Sequence, residues 1–289
     1  MRVIGGEAAL HVTFHGVRGS TPCHGDDTRR YGGNTSCVSL RAPGEQPLLF
    51  DLGTGLRYFG ACQPHDGTFR GTCLLTHLHW DHAQGLPFFT PLLKAGSELD
   101  IHAPAQSDGT SAADAFCRMI RPPAFPVSLD VLPGTIRIHD TADAEFAVGG
   151  YSVMSRLIPH IGPTLGYRVE WNGRSVAYLS DHQQPRDGSF ALSDGARELV
   201  EGVDLLIHDS QFTPAEFAQK SDWGHCTIEY ALWVAEECGV GTLALFHHDP
   251  GRTDTHLDGV VDLARSQVGP TGPTVIAAAE GQVVVLPVD

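Results

Sequence analysis

The chain has 289 residues, a formal net charge of −15 at pH 7, 42% hydrophobic residues and 18% charged residues. That composition is ordinary for a packed globular protein, and we expect a single domain over residues 1–289. The acidic charge repels polyanions and no basic stripe offsets it, which argues against long DNA or RNA as a partner. No apolar run reaches the roughly 18 residues that span a bilayer, and residues 1–10 lack a signal-peptide core. A membrane partner is therefore not expected. The seven cysteines form no Cys-x-x-Cys pair, so we expect a reduced, cytoplasmic chain.

Short apolar runs predict strands that recur along the chain. In order, they cover residues 11–15, 37–40, 48–51, 72–76, 151–157, 166–170, 175–180, 205–208, 242–246 and 274–278. Apolar residues three and four positions apart predict helices over residues 82–95, 111–120, 195–201, 227–238 and 255–266. Residues 121–133, with four prolines, predict an irregular surface connection. Because strands come in groups before each helix, this order predicts two sheets packed face to face with helices outside, a four-layer α/β fold.

Metal-binding residue types are concentrated in residues 76–82, which read Thr-His-Leu-His-Trp-Asp-His. The segment follows one predicted strand and precedes a predicted helix, so it forms a loop at the carboxyl end of a strand. Imidazoles and a carboxylate offer a mixture of donors suited to zinc, manganese or iron, here from His77, His79, Asp81 and His82. A histidine-rich surface loop is the alternative, but the flanking strand and helix are the context that a metal motif requires.

The same residues resemble the metallo-β-lactamase superfamily, and Asp51, within the Phe-Asp-Leu-Gly-Thr-Gly sequence of residues 50–55, extends the resemblance. The resemblance implies a four-layer αββα sandwich and two divalent metal ions, with zinc as the first choice and manganese or iron as alternatives. It implies two sets of ligands bridged by Asp181: His77, His79 and His160 for one ion, and Asp81, His82 and His247 for the other. It also implies that Asp51 orients the ligand loop. His182 and His248 remain alternatives to their neighbours Asp181 and His247.

A second motif, Gly-His-Cys-Thr at residues 224–227, stands at the start of a predicted helix and follows the strand that ends near Asp209. It resembles ribonuclease Z and its small-substrate phosphodiesterase relatives. That resemblance implies that His225, paired with Asp209, contacts the scissile phosphate and protonates the leaving oxygen. We therefore predict Asp81, His225 and Asp209 as catalytic residues. The alternative is that Thr227 caps the helix and His225 is an exposed loop residue.

Residues 16–22 and 31–36 supply glycines, hydroxyls, an amide and an arginine that are able to cradle an anion. These segments resemble members of the superfamily described as cyclic-nucleotide or related phosphodiesterases, although such glycines also mark tight turns. Arg18, Asn34 and Tyr167 are the predicted substrate contacts. Ribonuclease Z carries a long arm for transfer RNA, and the absence of a matching insertion, together with the acidic charge, indicates a small substrate.

These features predict a metal-dependent hydrolase that cleaves a small phosphodiester, such as a cyclic nucleotide, by attack of a metal-bridging hydroxide. A lactonase or thioesterase similar to glyoxalase II would use the same metals and would not need His225. A non-catalytic metal or nucleotide sensor is the alternative of another class. A diiron flavoprotein is disfavoured, because those proteins carry a carboxylate where His79 stands. The sequence leaves the oligomeric state open and is compatible with a homodimer.

Overall fold

The computed structural model describes residues 8–288. Its strands are β1 (Ala9–Gly16), β2 (Cys37–Arg41), β3 (Leu48–Phe50), β4 (Arg70–Leu74), β5 (Glu98–Pro104), β6 (Thr135–Thr141), β7 (Ala144–Val148), β8 (Tyr151–Leu157), β9 (Leu165–Trp171), β10 (Arg174–Leu179), β11 (Leu205–Asp209), β12 (Thr242–Phe246), β13 (Thr274–Ala277) and β14 (Val283–Pro287). Its helices are α1 (Leu56–Ala61), α2 (Trp80–Ala83), α3 (Ala112–Met119), α4 (Asp194–Val200), α5 (Pro214–Lys220), α6 (Ile228–Glu237) and α7 (Asp254–Gln267). Across residues 8–288, none of the helices is long and apolar enough to cross a membrane.

The strands form two mixed sheets of seven strands each. The first sheet has the order β14-β1-β2-β3-β4-β5-β6, and β3 to β6 are parallel. The second sheet has the order β13-β12-β11-β10-β9-β8-β7, and β10 to β13 are parallel. Because β9 is antiparallel to both of its neighbours, β8 runs in the same direction as β10. The loops after β8, β10, β11 and β12 therefore all leave the second sheet at the carboxyl ends of these strands. Open α/β sheets bind their ligands at this end.

The two sheets pack face to face through an apolar layer. Phe50 of β3 stacks on Tyr178 of β10 with ring centroids 4.6 Å apart, and Phe14 of β1 packs on Phe246 of β12 at 6.1 Å. Two further apolar clusters lie on the outer faces of the sheets, one beneath α1 and α3 and the other beneath α4, α6 and α7. The predicted four-layer sandwich, with helices outside two central sheets, is therefore confirmed.

The ends of the predicted strands agree with the observed ends to within two residues, but the predicted helix over residues 82–95 is wrong. Helix α2 ends at Ala83 and is followed by 3-10 turns at Leu86–Phe88 and Thr90–Leu93. Pro87 and Pro91 lie in these turns and remove the N–H donors that a continuous helix needs. Strands β5, β6, β7 and β14 and helices α1 and α5 were not predicted. Three of these strands, β6, β7 and β14, are half-exposed edge strands, whose apolar signal is weak.

The layer between the sheets gives a first prediction. Phe246 is fully buried there and also contacts the ring of Tyr178 at 5.6 Å. We expect Phe246→Ala to lower the free energy of unfolding by about 3–5 kcal/mol, because it removes apolar contacts and leaves a cavity. Urea unfolding checks this, with Leu263→Ala, at a 55% exposed position of α7, as the control expected to change little. Equal effects of the two substitutions would contradict the assignment of this layer as the core.

Candidate metal centre

The ligand loop joins β4, which ends at Leu74, to α2, which begins at Trp80. His77 precedes the helix and is buried, and His82 lies within the helix and is fully buried. The loop is fixed to the first sheet by backbone hydrogen bonds, including one of 2.7 Å from the N–H of Leu52 to the carbonyl of His82. A buried strand and these bonds therefore determine where the side chains of the loop point.

The first group of candidate ligands is His77, His79, His160 and Asp181. His160 follows β8 and Asp181 follows β10, so the second sheet contributes both of them. Oδ2 of Asp181 lies 3.5 Å from Nε2 of His77 and 3.5 Å from Nε2 of His160. Nδ1 of His79 lies 3.3 Å from the same Nε2 of His160. One ligand atom from each residue lies within 4.8 Å of the others, which is close enough for all four to hold one ion.

The second group is Asp81, His82 and His247, on the other side of Asp181. Oδ2 of Asp81 lies 3.2 Å from Nε2 of His82 and 3.1 Å from Nε2 of His247. Oδ1 of Asp181 lies 3.3 Å from Nε2 of His82 and 3.1 Å from Nε2 of His247. The two oxygens of Asp181 thus face different groups, which is the position predicted for a carboxylate that bridges two ions.

Within residues 8–288, three buried atoms that face these groups have no hydrogen-bond partner. They are Nε2 of His77, Nε2 of His82 and Oδ1 of Asp181. A buried polar atom without a partner is destabilising, and a bound cation would satisfy all three atoms. Imidazole nitrogens together with carboxylate oxygens are donors that zinc, manganese and iron accept. The two groups therefore fit two divalent cations.

The second ring nitrogen of each buried ligand histidine has a defined acceptor. Nδ1 of His82 donates to Asp51, Nδ1 of His160 donates to the carbonyl of Gly224, and both distances are 2.7 Å. Nδ1 of His77 lies 2.9 Å from the hydroxyl of Thr76. A proton held at Nδ1 leaves the lone pair of Nε2 directed at the metal position, as in most protein metal sites. The acceptors thus select the tautomer that binds a cation.

Asp51 is the acceptor on which the ligand loop depends. Its Oδ1 accepts from the backbone N–H of Thr76 at 2.8 Å and from the Thr76 hydroxyl at 3.0 Å. Its Oδ2 accepts from Nδ1 of His82 at 2.7 Å and from the hydroxyl of Tyr178 at 2.8 Å. Asp51 is fully buried and adopts a left-handed φ of +59°. Such a conformation persists only where the surroundings require it, and these hydrogen bonds supply that requirement.

The two alternative ligands point away from the centre. Nε2 of His248 donates to the carbonyl of Ala278 at 3.0 Å. Nδ1 of His182 lies 2.9 Å from Nε2 of His208, within a buried pair of imidazoles. The geometry therefore favours His247 and Asp181 over their neighbours.

Burial and the charges of neighbouring side chains determine the pKa values of the candidate ligands. Burial lowers the pKa of His160 to about 4, so its imidazole is neutral at pH 7 and able to bind a cation. Burial alone would raise the pKa of Asp181, but His247 and His82 hold it well below its usual value. Burial opposes protonation of His82, yet the carboxylates of Asp81 and Asp181 raise its pKa well above the usual value. A cation and a proton therefore compete for His82.

His225 and Asp209 form a buried dyad next to the second group. Nδ1 of His225 lies 2.7 Å from Oδ2 of Asp209, and the ring of His225 stacks on that of His247 with centroids 5.0 Å apart. Burial alone would lower the pKa of His225, but Asp209 raises it above its usual value. Thr227 also caps α6, because its hydroxyl accepts from the N–H of Tyr230 at 3.0 Å. Cap and dyad therefore coexist, and His225 is buried rather than exposed as the alternative interpretation had it.

The predicted substrate contacts do not all face the centre. Tyr167 is fully buried and donates from its hydroxyl to the carbonyl of Leu75 at 2.8 Å. Arg18 is also fully buried, and its guanidinium donates to backbone carbonyls, including that of Gly32 at 2.8 Å. These two positions do not support contact with substrate, because both side chains are buried and donate hydrogen bonds to backbone carbonyls. Asn34 is half-buried, and its side-chain amide donates to Glu280 at 3.0 Å.

Sequence reasoning assigned no role to several residues that complete the site. They share hydrogen bonds or close contacts with the candidate ligands or with Asp51, and they are Ser20, Thr76, Tyr178, Gln211 and Gly224. The available signal was position, since Thr76 and Gln211 follow the carboxyl ends of β4 and β11 within two residues. Gly224, with φ of +95°, is required because a Cβ there would lie 2.5 Å from the ring of His160.

Comparison with known proteins agrees with this geometry. The family model described as the beta-lactamase superfamily domain matches residues 58–248. Ribonuclease Z of Synechococcus sp. (strain CC9311) is 26% identical over 291 residues, covering 83% of this chain and 88% of the relative. The metallo-beta-lactamase fold protein YhfI from Bacillus subtilis has a TM-score of 0.72 at 18% identity, covering 96% of this chain and all of the other. A diphosphatase from the PhnP family has a TM-score of 0.66 at 16% identity, covering 96% of this chain and 98% of the other.

The family model covers more than half of the chain, and the sandwich has the same fold as the solved structures. The chain therefore belongs to the metallo-β-lactamase superfamily. Within the superfamily it falls in the branch that resembles ribonuclease Z.

The role of Asp51 gives the second prediction. We expect Asp51→Asn to lower metal affinity about 10- to 100-fold, because an amide no longer supplies a charged acceptor for both His82 and Thr76. Competition with a chromogenic chelator measures the affinity, and Asp262→Asn, at a side chain that is 78% exposed, is the matched control. Unchanged affinity in Asp51→Asn would show that the ligand loop does not depend on this carboxylate.

Proposed function

We propose that the protein is a dinuclear metal-dependent phosphodiesterase that hydrolyses a small phosphodiester such as a cyclic nucleotide. The observation that carries this proposal is the dyad of His225 and Asp209 beside two groups of metal ligands. A thiolate leaves a thioester without needing a proton, whereas an alkoxide leaving a phosphate needs one. A histidine oriented by a buried carboxylate supplies that proton.

Similarity to known proteins supports the same class of bond. The names ribonuclease Z and diphosphatase, which belong to two of the proteins described above, both denote cleavage of phosphorus–oxygen bonds. The net charge of −15 favours a small substrate, because it repels a long polyanion at a distance while bound cations attract a single phosphate locally. A small phosphodiester satisfies both constraints.

In the proposed mechanism, the first group and the second group would each hold one divalent cation, zinc being the first choice. When bound, such cations supply a nucleophile from water at neutral pH and neutralise charge on the phosphoryl oxygens. The residues of the chain position the reaction. Asp209 holds Nδ1 of His225 at 2.7 Å, which leaves Nε2 to donate a proton to the departing oxygen. Asp81, between His82 and His247, keeps the second group together.

The third prediction concerns the reaction class. Protein loaded separately with zinc and with manganese is assayed on bis-p-nitrophenyl phosphate, and we expect turnover that Asp81→Ala abolishes, because the variant lacks a ligand of the second group. Cyclic nucleotides are then assayed with the same preparations. Turnover of lactones or thioesters without any phosphodiester turnover would instead identify a lactonase or thioesterase. Tight binding of a nucleotide without turnover would identify a sensor.

The fourth prediction isolates the role of His225. Loss of a general acid matters most when the leaving oxygen is basic, and such catalysis contributes about 10²- to 10⁴-fold. We therefore expect His225→Ala to lower kcat on an alkyl or cyclic phosphodiester by about that factor, and to lower kcat much less on a p-nitrophenyl ester. His256→Ala, at an exposed position of α7, is the control. An equal loss on both kinds of substrate would exclude proton donation by His225.

A further inference from the structure

A loop from the N-terminal part of the chain contacts the second group of ligands. The backbone N–H of Ser20 donates to Oδ2 of Asp81 at 2.7 Å. That oxygen is the one that faces both His82 and His247. Ser20 adopts a left-handed φ of +62°, which a serine rarely does. The strained backbone is therefore directed at a ligand of the second group.

Gln211 connects this loop to His247. Its Oε1 accepts from Nδ1 of His247 at 2.8 Å, and its Nε2 donates to the hydroxyl of Ser20 at 3.3 Å. Its own backbone N–H donates to Oδ1 of Asp209 at 2.9 Å, and its side chain is buried. A single residue thus contacts a candidate ligand, the N-terminal loop and the carboxylate of the dyad.

Gly19 packs against His247 and Gln211 so closely that no side chain fits at its position. A Cβ at Gly19 would lie 2.3 Å from Nδ1 of His247 and 2.6 Å from Oε1 of Gln211. The backbone of Gly19 is in turn held by a hydrogen bond of 3.0 Å from its N–H to the carbonyl of His248. The loop therefore packs directly on the hydrogen bond between His247 and Gln211.

The two groups of ligands are supported differently. In the first group, His160 donates to a backbone carbonyl and His77 contacts the hydroxyl of the adjacent Thr76. In the second group, the support of His247 is a side-chain amide that lies 36 residues away in the sequence. A change at Gln211 or Gly19 therefore acts on the second group and leaves the contacts of His77 and His160 in place.

We infer that Gln211, with Gly19 and Ser20, is a positioning residue that determines the metal affinity of the second group separately from that of the first. The inference rests on the proposed function, in which each group holds one cation. A ligand histidine whose second nitrogen loses its acceptor binds metal more weakly, commonly by about 10- to 100-fold. Gln211→Leu keeps the side chain near its original size and removes the acceptor, whereas Gln211→Glu keeps an acceptor for His247.

The test measures zinc binding directly, by chelator competition and by metal analysis of the gel-filtered protein. Wild type is expected to bind two equivalents, and Gln211→Leu to bind one equivalent as tightly as wild type and the second about 10- to 100-fold more weakly. Gln211→Glu is expected to restore two tight equivalents. Gln219→Leu, at an exposed position of α5, is the matched control, and circular dichroism verifies that each variant is folded.

A second pair of variants tests the contact between His247 and Gln211 through the N-terminal loop. Gly19→Ala is expected to weaken the second equivalent selectively, because its Cβ displaces His247 or Gln211. Gly259→Ala, where a Cβ meets nothing within 4 Å, is the control. Two tight equivalents in both Gln211→Leu and Gly19→Ala, or equal weakening of both equivalents, would overturn the inference. Fewer than two equivalents in wild type would instead overturn the dinuclear centre of the proposed function.

Discussion

The organisation of the metal centre depends on one buried carboxylate. Asp51 lies at the end of β3, yet it accepts a hydrogen bond from Tyr178 of the second sheet as well as from Thr76 and His82 of the first. A buried charge is tolerated only when hydrogen-bond donors surround it. The carboxylate of Asp51 therefore requires the two sheets to pack in the observed relative position, because its donors come from both. The same contacts that stabilise the charge also orient the candidate ligand His82 and, through Thr76, the candidate ligand His77. Folding and metal binding therefore share a single set of hydrogen bonds.

Backbone strain is concentrated around this carboxylate. Four non-glycine residues between residues 8 and 288 have positive φ, and three of them, Ser20, Asp51 and His247, lie at the centre. Each such conformation costs on the order of 1–3 kcal/mol and persists only because surrounding contacts hold it. Here the contacts are hydrogen bonds to the ligands or their acceptors. The energy that orders the site is thus supplied by the two packed sheets, as expected for a centre that must be preorganised.

The sequence predicted the layers, most strands and the ligand cluster of residues 77–82, because each of these depends on local pattern. The assignment of His160, Asp181 and His247 came instead from the resemblance to the superfamily. His77, His79, Asp81 and His82 lie within six positions of one another, and a strongly apolar strand precedes them. Tyr178 had no such signal, because its role depends on which strands become neighbours in space. The helix expected over residues 82–95 does not form because Pro87 and Pro91 interrupt it, although the apolar residues there have helical spacing. Arg18 resembled an anion ligand in sequence but is used to fix backbone carbonyls instead.

The division of the ligands between the sheets has a consequence for synthesis of the chain. The first-sheet ligands are complete at His82, whereas the second-sheet ligands end at His247, and β14 joins β1 only after that. A ribosome therefore exposes a cluster of imidazoles and carboxylates long before their partners exist. During that interval the nascent segment has metal-binding side chains but not the complete set of ligands whose geometry selects among cations. The two groups of candidate ligands are therefore complete only after β12 has been synthesised.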